Sequence, residues 1–135
     1  MTARRSLRFM SWLLALVVGV GIGTAIGQQS PPKDNKGLAA KVVSTVDLAP
    51  DMPGYQLRLR TITVEPAGVV GFHSHKDRPE VVYILEGTLT ELKEGGYTKQ
   101  YKPGDVITGS RDVLHWAENR GTAKAVFVAV DVVKP

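Results

Sequence analysis

Past residue 37 this chain never runs far without a turn. Ala49-Pro50-Asp51-Met52-Pro53-Gly54, Glu65-Pro66-Ala67-Gly68, Lys76-Asp77-Arg78-Pro79, Glu94-Gly95-Gly96 and Lys102-Pro103-Gly104-Asp105 break it at short intervals. Proline lacks a donor and clashes in a helix interior, and glycine favours the left-handed turn positions, so both punctuate the chain. No amphipathic helix of useful length fits between them. The intervening stretches read as β-strands: Lys41–Leu48, Tyr55–Val64, Val81–Glu86, Thr88–Leu92, Tyr97–Tyr101, Val106–Thr108, His115–Glu118 and Ala123–Val133. In Tyr55–Val64 the apolar positions change phase, from Tyr55, Leu57 and Leu59 to Ile62 and Val64, which predicts a bulge near Arg60. Many short strands at this spacing predict an all-β fold, a sandwich or barrel of Greek-key or jelly-roll type. The chain has no cysteine, which excludes disulfides, thiolate metal sites and a cysteine nucleophile.

The chain opens differently. Arg4, Arg5 and Arg8 precede an uncharged run over residues 9–26, and small residues flank Ile26 before Gln28. A basic start, an apolar run and a small-residue site describe residues 1–27 as a secretory signal peptide. The run is also long enough to be retained as a membrane anchor, so the protein is expected to be exported, periplasmic or secreted, or held at the inner membrane by residues 9–26. The 17 Lys+Arg against 13 Asp+Glu give a net charge of +4, but three of those cations lie in this leader. The remainder is close to neutral and offers no basic stripe for nucleic acid. Residues 28–37 (QQSPPKDNKG) have nothing to bury except prolines and read as a flexible linker, with the folded domain at 38–135.

The three histidines carry the functional signal: His73, His75 and His115. Residues two apart on a strand share a face, so His73 and His75 point the same way. Glu80 follows a polar turn that resets the register and opens the strand EVVYILE, with Val82 and Ile84 on its face. Two imidazoles and a carboxylate so placed can approach one metal ion. The plainer reading is a hairpin with two surface histidines and a solvated glutamate.

The segment His73-Ser74-His75, four residues, Glu80, six residues, Gly87 resembles the first motif of the cupin superfamily, and Gly104, His115 and Asn119 match its second. Ala67 stands where the family has its opening glycine, with Gly68 next. Ser110 and Asp112 stand where the second motif has a proline and a glycine. The resemblance covers roughly Ala40 to Val133. It implies a small jelly-roll (double-stranded β-helix) barrel holding one divalent metal through His73, His75, Glu80 and His115, with Val82, Ile84 and Ala117 lining the cavity. Imidazole and carboxylate ligands suit Fe, Mn, Ni, Co, Cu or Zn. The implied role is a metal-dependent enzyme acting on a small molecule, with dioxygenase-like chemistry ahead of isomerisation. A non-catalytic metal- or ligand-binding module of the cell envelope is the alternative. Asn119 is expected to close a turn. Arg58, Arg60 and Arg111 are candidate contacts for an anionic substrate, surface solvation being the plainer role.

Two strands lack the alternation of a half-solvated sheet. Val81, Tyr83 and Leu85 are apolar on the face away from Glu80, and Ala123–Val133 is apolar on both faces. A second copy covering that outer face, a homodimer, is expected.

Overall fold

The structure is a computed structural model and describes residues 30–135. The leader expected over 1–27 lies outside the described residues. Among those described there are eight strands and no helix: β1 (Lys36–Asp47), β2 (Gln56–Ser74), β3 (Glu80–Glu86), β4 (Leu89–Lys93), β5 (Tyr97–Tyr101), β6 (Val106–Gly109), β7 (Leu114–Glu118) and β8 (Ala125–Val133). All pairings are antiparallel, in the order β5-β4-β7-β2-β8-β3-β6, with β1 also on β2. The result is a nearly closed barrel, as the turn spacing predicts.

The 19-residue β2 joins the two halves of the barrel. Its first part pairs with β8 from Gln56↔Val133 to Val64↔Ala125, and its last part pairs with β7 from Val69↔Glu118 to Ser74↔Leu114. Glu65–Gly68, expected as a turn, is instead a bend within the strand. The bend is held by the Ala67 N–H on the Asn119 carbonyl and the Asn119 N–H on the Gly68 carbonyl, both 3.0 Å. Asn119 closes its own turn as expected. Its side-chain amide donates to the Val64 and Ala123 carbonyls at 2.8 Å and accepts from the Gly121 N–H at 3.0 Å.

Two expectations are corrected here. The register of β2 on β8 is unbroken through Arg60, and the bulge lies across from it, on β1 between Val42 and Ser44. The apolar phase of β2 switches because Arg58 and Arg60 occupy the inward positions, leaving Leu57 exposed. The polar segment read as linker is docked from Pro32 onward: the Phe72 N–H donates to the Pro32 carbonyl at 2.7 Å and the Gly71 N–H to Asn35 Oδ1 at 2.9 Å. A side chain at Gly71 would strike the Lys33 carbonyl oxygen at 2.6 Å, so the glycine permits this contact. Inside, Ile62, Val64, Val82, Ile84, Ile107 and Phe127 form the core with Leu89, Tyr101 and Ala117.

Candidate metal centre

The C-terminal end of β2 supplies His73, the following turn supplies His75, and β7 supplies His115, which pairs directly with His73 across the ladder. His75 is held by its loop. Its N–H donates to the Val113 carbonyl at 3.2 Å, and the Arg78 N–H returns to the His75 carbonyl at 3.1 Å. The Val113 N–H bonds the Ser110 carbonyl at 3.0 Å, so the turn before His115 closes without the family's proline and glycine.

Each imidazole has its Nδ1 on an acceptor. His73 Nδ1 faces the Gly71 carbonyl at 2.8 Å, His75 Nδ1 the Arg78 carbonyl at 3.1 Å, and His115 Nδ1 the Glu91 carboxylate at 2.6 Å. A carbonyl or carboxylate oxygen has no proton to give, so each Nδ1 carries the hydrogen and donates it. In a neutral ring this leaves the Nε2 lone pair bare. The three Nε2 atoms then face one another at 2.8, 3.1 and 3.1 Å. Burial pushes His73 down to about 4, against the hydrogen bond to Gly71, and holds His75 below its ordinary value, which favours the neutral form of both rings.

Three lone pairs converging on one point repel unless a cation sits among them. Nitrogens about 2.1 Å from one ion lie about 3.0 Å apart at neighbouring octahedral corners and about 3.4 Å apart at tetrahedral ones. The observed spacing is closer to the octahedral value, so the three imidazoles could hold an ion through neighbouring corners.

The structure brings His73, His75 and His115 together, with their ligand atoms within 4.8 Å of one another, and does not bring Glu80 into that group. Glu80 lines the same cavity, but its carboxylate is held by Arg60 Nη2 at 2.5 Å, with Arg78 Nη1 at 3.6 Å. Val82 and Ala117 are among the residues lining the cavity. Ile84 is fully buried in the core and is not part of the lining. The cavity measures about 290 Å³.

Sequence reasoning missed three groups. Glu91 on β4 is buried and orients His115, while its second oxygen accepts from the Tyr101 hydroxyl at 3.0 Å. Burial works to raise its pKa, but the bonds from His115 and Tyr101 and the charge of Lys93 outweigh it and hold the carboxyl below its ordinary range. The available signal was a charged residue two positions from Leu89, on the same face of a strand. Gly109 is the second: a Cβ there would lie 2.6 Å from the His75 ring, so the imidazole seats against bare backbone. The third is the ionic cluster of Arg58, Arg60, Arg78, Glu80 and Asp131. Asp131 is buried at 1% exposure. It accepts from Arg58 Nε and Nη2 at 3.0 and 2.8 Å, and from Arg60 and Arg78 at 3.1 Å each. Burial works to raise the Asp131 pKa, but the Arg58 bonds and the three guanidinium charges prevail and hold it low.

Comparison with known proteins agrees with this geometry. A family model described as a cupin domain matches residues 60–131. Among curated proteins, the auxin-binding protein ABP19b of Prunus persica is 31% identical over 81 residues, 57% of this chain and 39% of the relative. A germin-like protein of Arabidopsis thaliana (subfamily 3 member 1) is 29% identical over 83 residues, 58% of this chain and 40% of its own length. The match thus spans less than half of either relative. Among solved structures, a double-stranded beta-helix domain protein from Klebsiella pneumoniae superposes with a TM-score of 0.60 at 17% identity, covering 77% of this chain and 84% of the other.

Proposed function

The chain belongs to the cupin family, and on that premise we propose that it is an exported enzyme that binds one divalent transition metal and acts on a small molecule in the barrel cavity. The observation that carries the metal assignment is the triad of Nε2 lone pairs, each fixed by an Nδ1–H donor bond on the far side of its ring. His73, His75 and His115 are the protein's fixed ligands in this reading. Glu80 is an exchangeable fourth group, able to join them only when Arg60 lets it go. When bound, such an ion supplies Lewis acidity and open positions for a ligand oxygen. Fe, Mn, Ni, Co, Cu and Zn all suit this donor set, and dioxygenase-like chemistry is the favoured class. The chain's own residues orient the site: Glu91 holds the His115 ring, and Gly109 admits the His75 ring.

One observation favours a non-catalytic metal- or ligand-binding role instead. Glu80, the only carboxylate among the cavity-lining residues besides Glu91, is tied to arginine and is not poised as a base. Elemental analysis tests the metal assignment. The native protein is expected to carry about one equivalent of metal and His75→Ala almost none, and equal metal in both would refute it. Oxygen consumption by the metal-loaded protein over a panel of small organic substrates separates enzyme from binding module.

The basic, apolar, small-residue order of the leader supports export. The outer sheet face supports a homodimer, because Val81 and Tyr83 on β3 are 50% and 45% exposed and lie beside the exposed Val106 on β6 and Val130 on β8.

A further inference from the structure

The cavity holds a second feature that metal binding does not use. Arg60 and Arg78 line it together with the three histidines, and Arg58 stands behind them on Asp131. Within this cluster three guanidinium groups face two carboxylates, those of Asp131 and Glu80. One positive charge is left over in a pocket whose other walls, such as Ile62, Val82 and Phe127, are apolar. A divalent ion on the histidines adds to that excess.

The surplus falls on Arg60. Asp131 is already bound side-on by the Nε and Nη2 of Arg58. Arg60 reaches Asp131 only through Nη2, at 3.1 Å, and shares that nitrogen with Glu80. Its Nε is buried and has no hydrogen-bond partner. In a guanidinium the Nε–H and one Nη2–H point the same way and form a fork that matches the two oxygens of a carboxylate. At Arg60 the Nη2 of that fork is shared between Glu80 and Asp131, and the Nε tine is empty. Burial is the main influence on this side chain and outweighs the nearby carboxylates, holding its pKa below the ordinary value, which fits a charge only partly compensated.

We propose that Arg60, assisted by Arg78, is the anchor for the carboxylate of a small organic acid bound in the cavity, and that Glu80 is an internal stand-in which the ligand displaces. The proposal rests on the reading of the cavity as a small-molecule site and names the class of molecule. A carboxylate fits better than a phosphate because the existing occupant is itself a carboxylate, and because the open Nε–H lies in one plane with the Nη2 that Glu80 would vacate. Displacement also frees the carboxylate of Glu80, which lines the same cavity as the histidines.

The test is calorimetric titration of the chelator-stripped protein with malonate, so that no metal contributes. Malonate is expected to bind at least about tenfold more tightly than its neutral diamide, since roughly one charge-assisted hydrogen bond separates them. Glu80→Gln removes the internal competitor and should tighten malonate about five- to tenfold, whereas Arg60→Gln should weaken it at least about tenfold. These opposite signs at neighbouring residues are not produced by general loosening of the fold. If Arg60→Gln fails to fold because Asp131 loses a partner, the first two measurements still decide. Equal binding of malonate and malonamide, or no tightening in Glu80→Gln, would overturn the proposal. Tighter binding of inorganic phosphate than of malonate would overturn its carboxylate assignment. Because these titrations use metal-free protein, they can fail while the elemental analysis succeeds, and the reverse.

Discussion

Ala67 allows a clean measurement of what the family's missing glycine is worth. The residue sits in the left-handed region, with φ of 57°. For an L-residue with a Cβ that conformation costs about 1–2 kcal/mol. The bend cannot relax to avoid it, because Ala67 and Gly68 are tied to Asn119 by the reciprocal backbone bonds, and Asn119 is itself buried and fixed through its side chain. The Ala67 methyl is exposed, so deleting it sacrifices no packing. Against the gain stands the larger unfolded-state freedom of glycine, about 0.5–1 kcal/mol. Ala67→Gly should therefore stabilise the metal-free protein by about 0.5–1 kcal/mol net. In urea, with a slope of about 1–1.5 kcal/mol/M for a domain of this size, the midpoint should rise by roughly 0.5 M at unchanged slope.

The neighbouring substitution should act in the opposite sense. Gly68 is buried, and a Cβ there would lie 2.7 Å from the Glu65 carbonyl oxygen, 2.8 Å from Val64 Cγ1 and 2.9 Å from the Lys36 carbonyl oxygen. Two of the three are backbone atoms and cannot swing aside, so Gly68→Ala should cost about 2 kcal/mol or more. A neutral or destabilising Ala67→Gly, or a tolerated Gly68→Ala, would show that the bend is not held as the hydrogen bonds imply.

Two further outcomes are expected. With its ring pushed down to about 4 by burial, His73 stays neutral in the folded chain while its unfolded counterpart takes up a proton near 6.5, so its contribution is complete above about pH 6.5 and is lost as pH falls toward 4. The loss is at most about 3 kcal/mol, less because His73 is partly exposed; thermal midpoints of metal-free protein should fall between pH 6.5 and 5, before the carboxylates matter, and a flat profile there would contradict the burial of the triad. Light scattering should give twice the protomer mass, and Tyr83→Glu, which charges the outer face of β3, should give a monomer with its metal content intact; a native protein that stays monomeric at high concentration would show that this face needs no partner.

What the sequence disclosed and what it hid divide along a physical line. Turn chemistry is local, so the glycines and prolines at Glu94–Gly96 and Lys102–Asp105 placed strand ends closely, and β5 is Tyr97–Tyr101 as read. Parity along one strand is local too, and it aligned Val82 with the cavity and Tyr83 with the outside. Charge compensation is not local. Arg58 and Arg60 looked like surface residues because their partners, Asp131 and Glu80, lie 73 and 20 positions away along the chain.

The same non-local compensation explains why the phase change in β2 was misread. A hydrophobic pattern records which positions are apolar, not which face is inward, and on this strand the inward face carries Arg58 and Arg60 ahead of Ile62 and Val64. A chain that buries arginines beside an apolar cavity meets a large desolvation penalty unless each is paired. Here the pairing is complete at Asp131 and left open at Arg60 Nε, the one buried polar side-chain atom without a partner among the described residues. That unfilled donor lies beside the carboxylate that the sequence motif assigns to the metal. In the proposed reading the position of Glu80 is therefore a contest between two sites, the histidines and Arg60, and a ligand that satisfied Arg60 would release Glu80 from its ion pair.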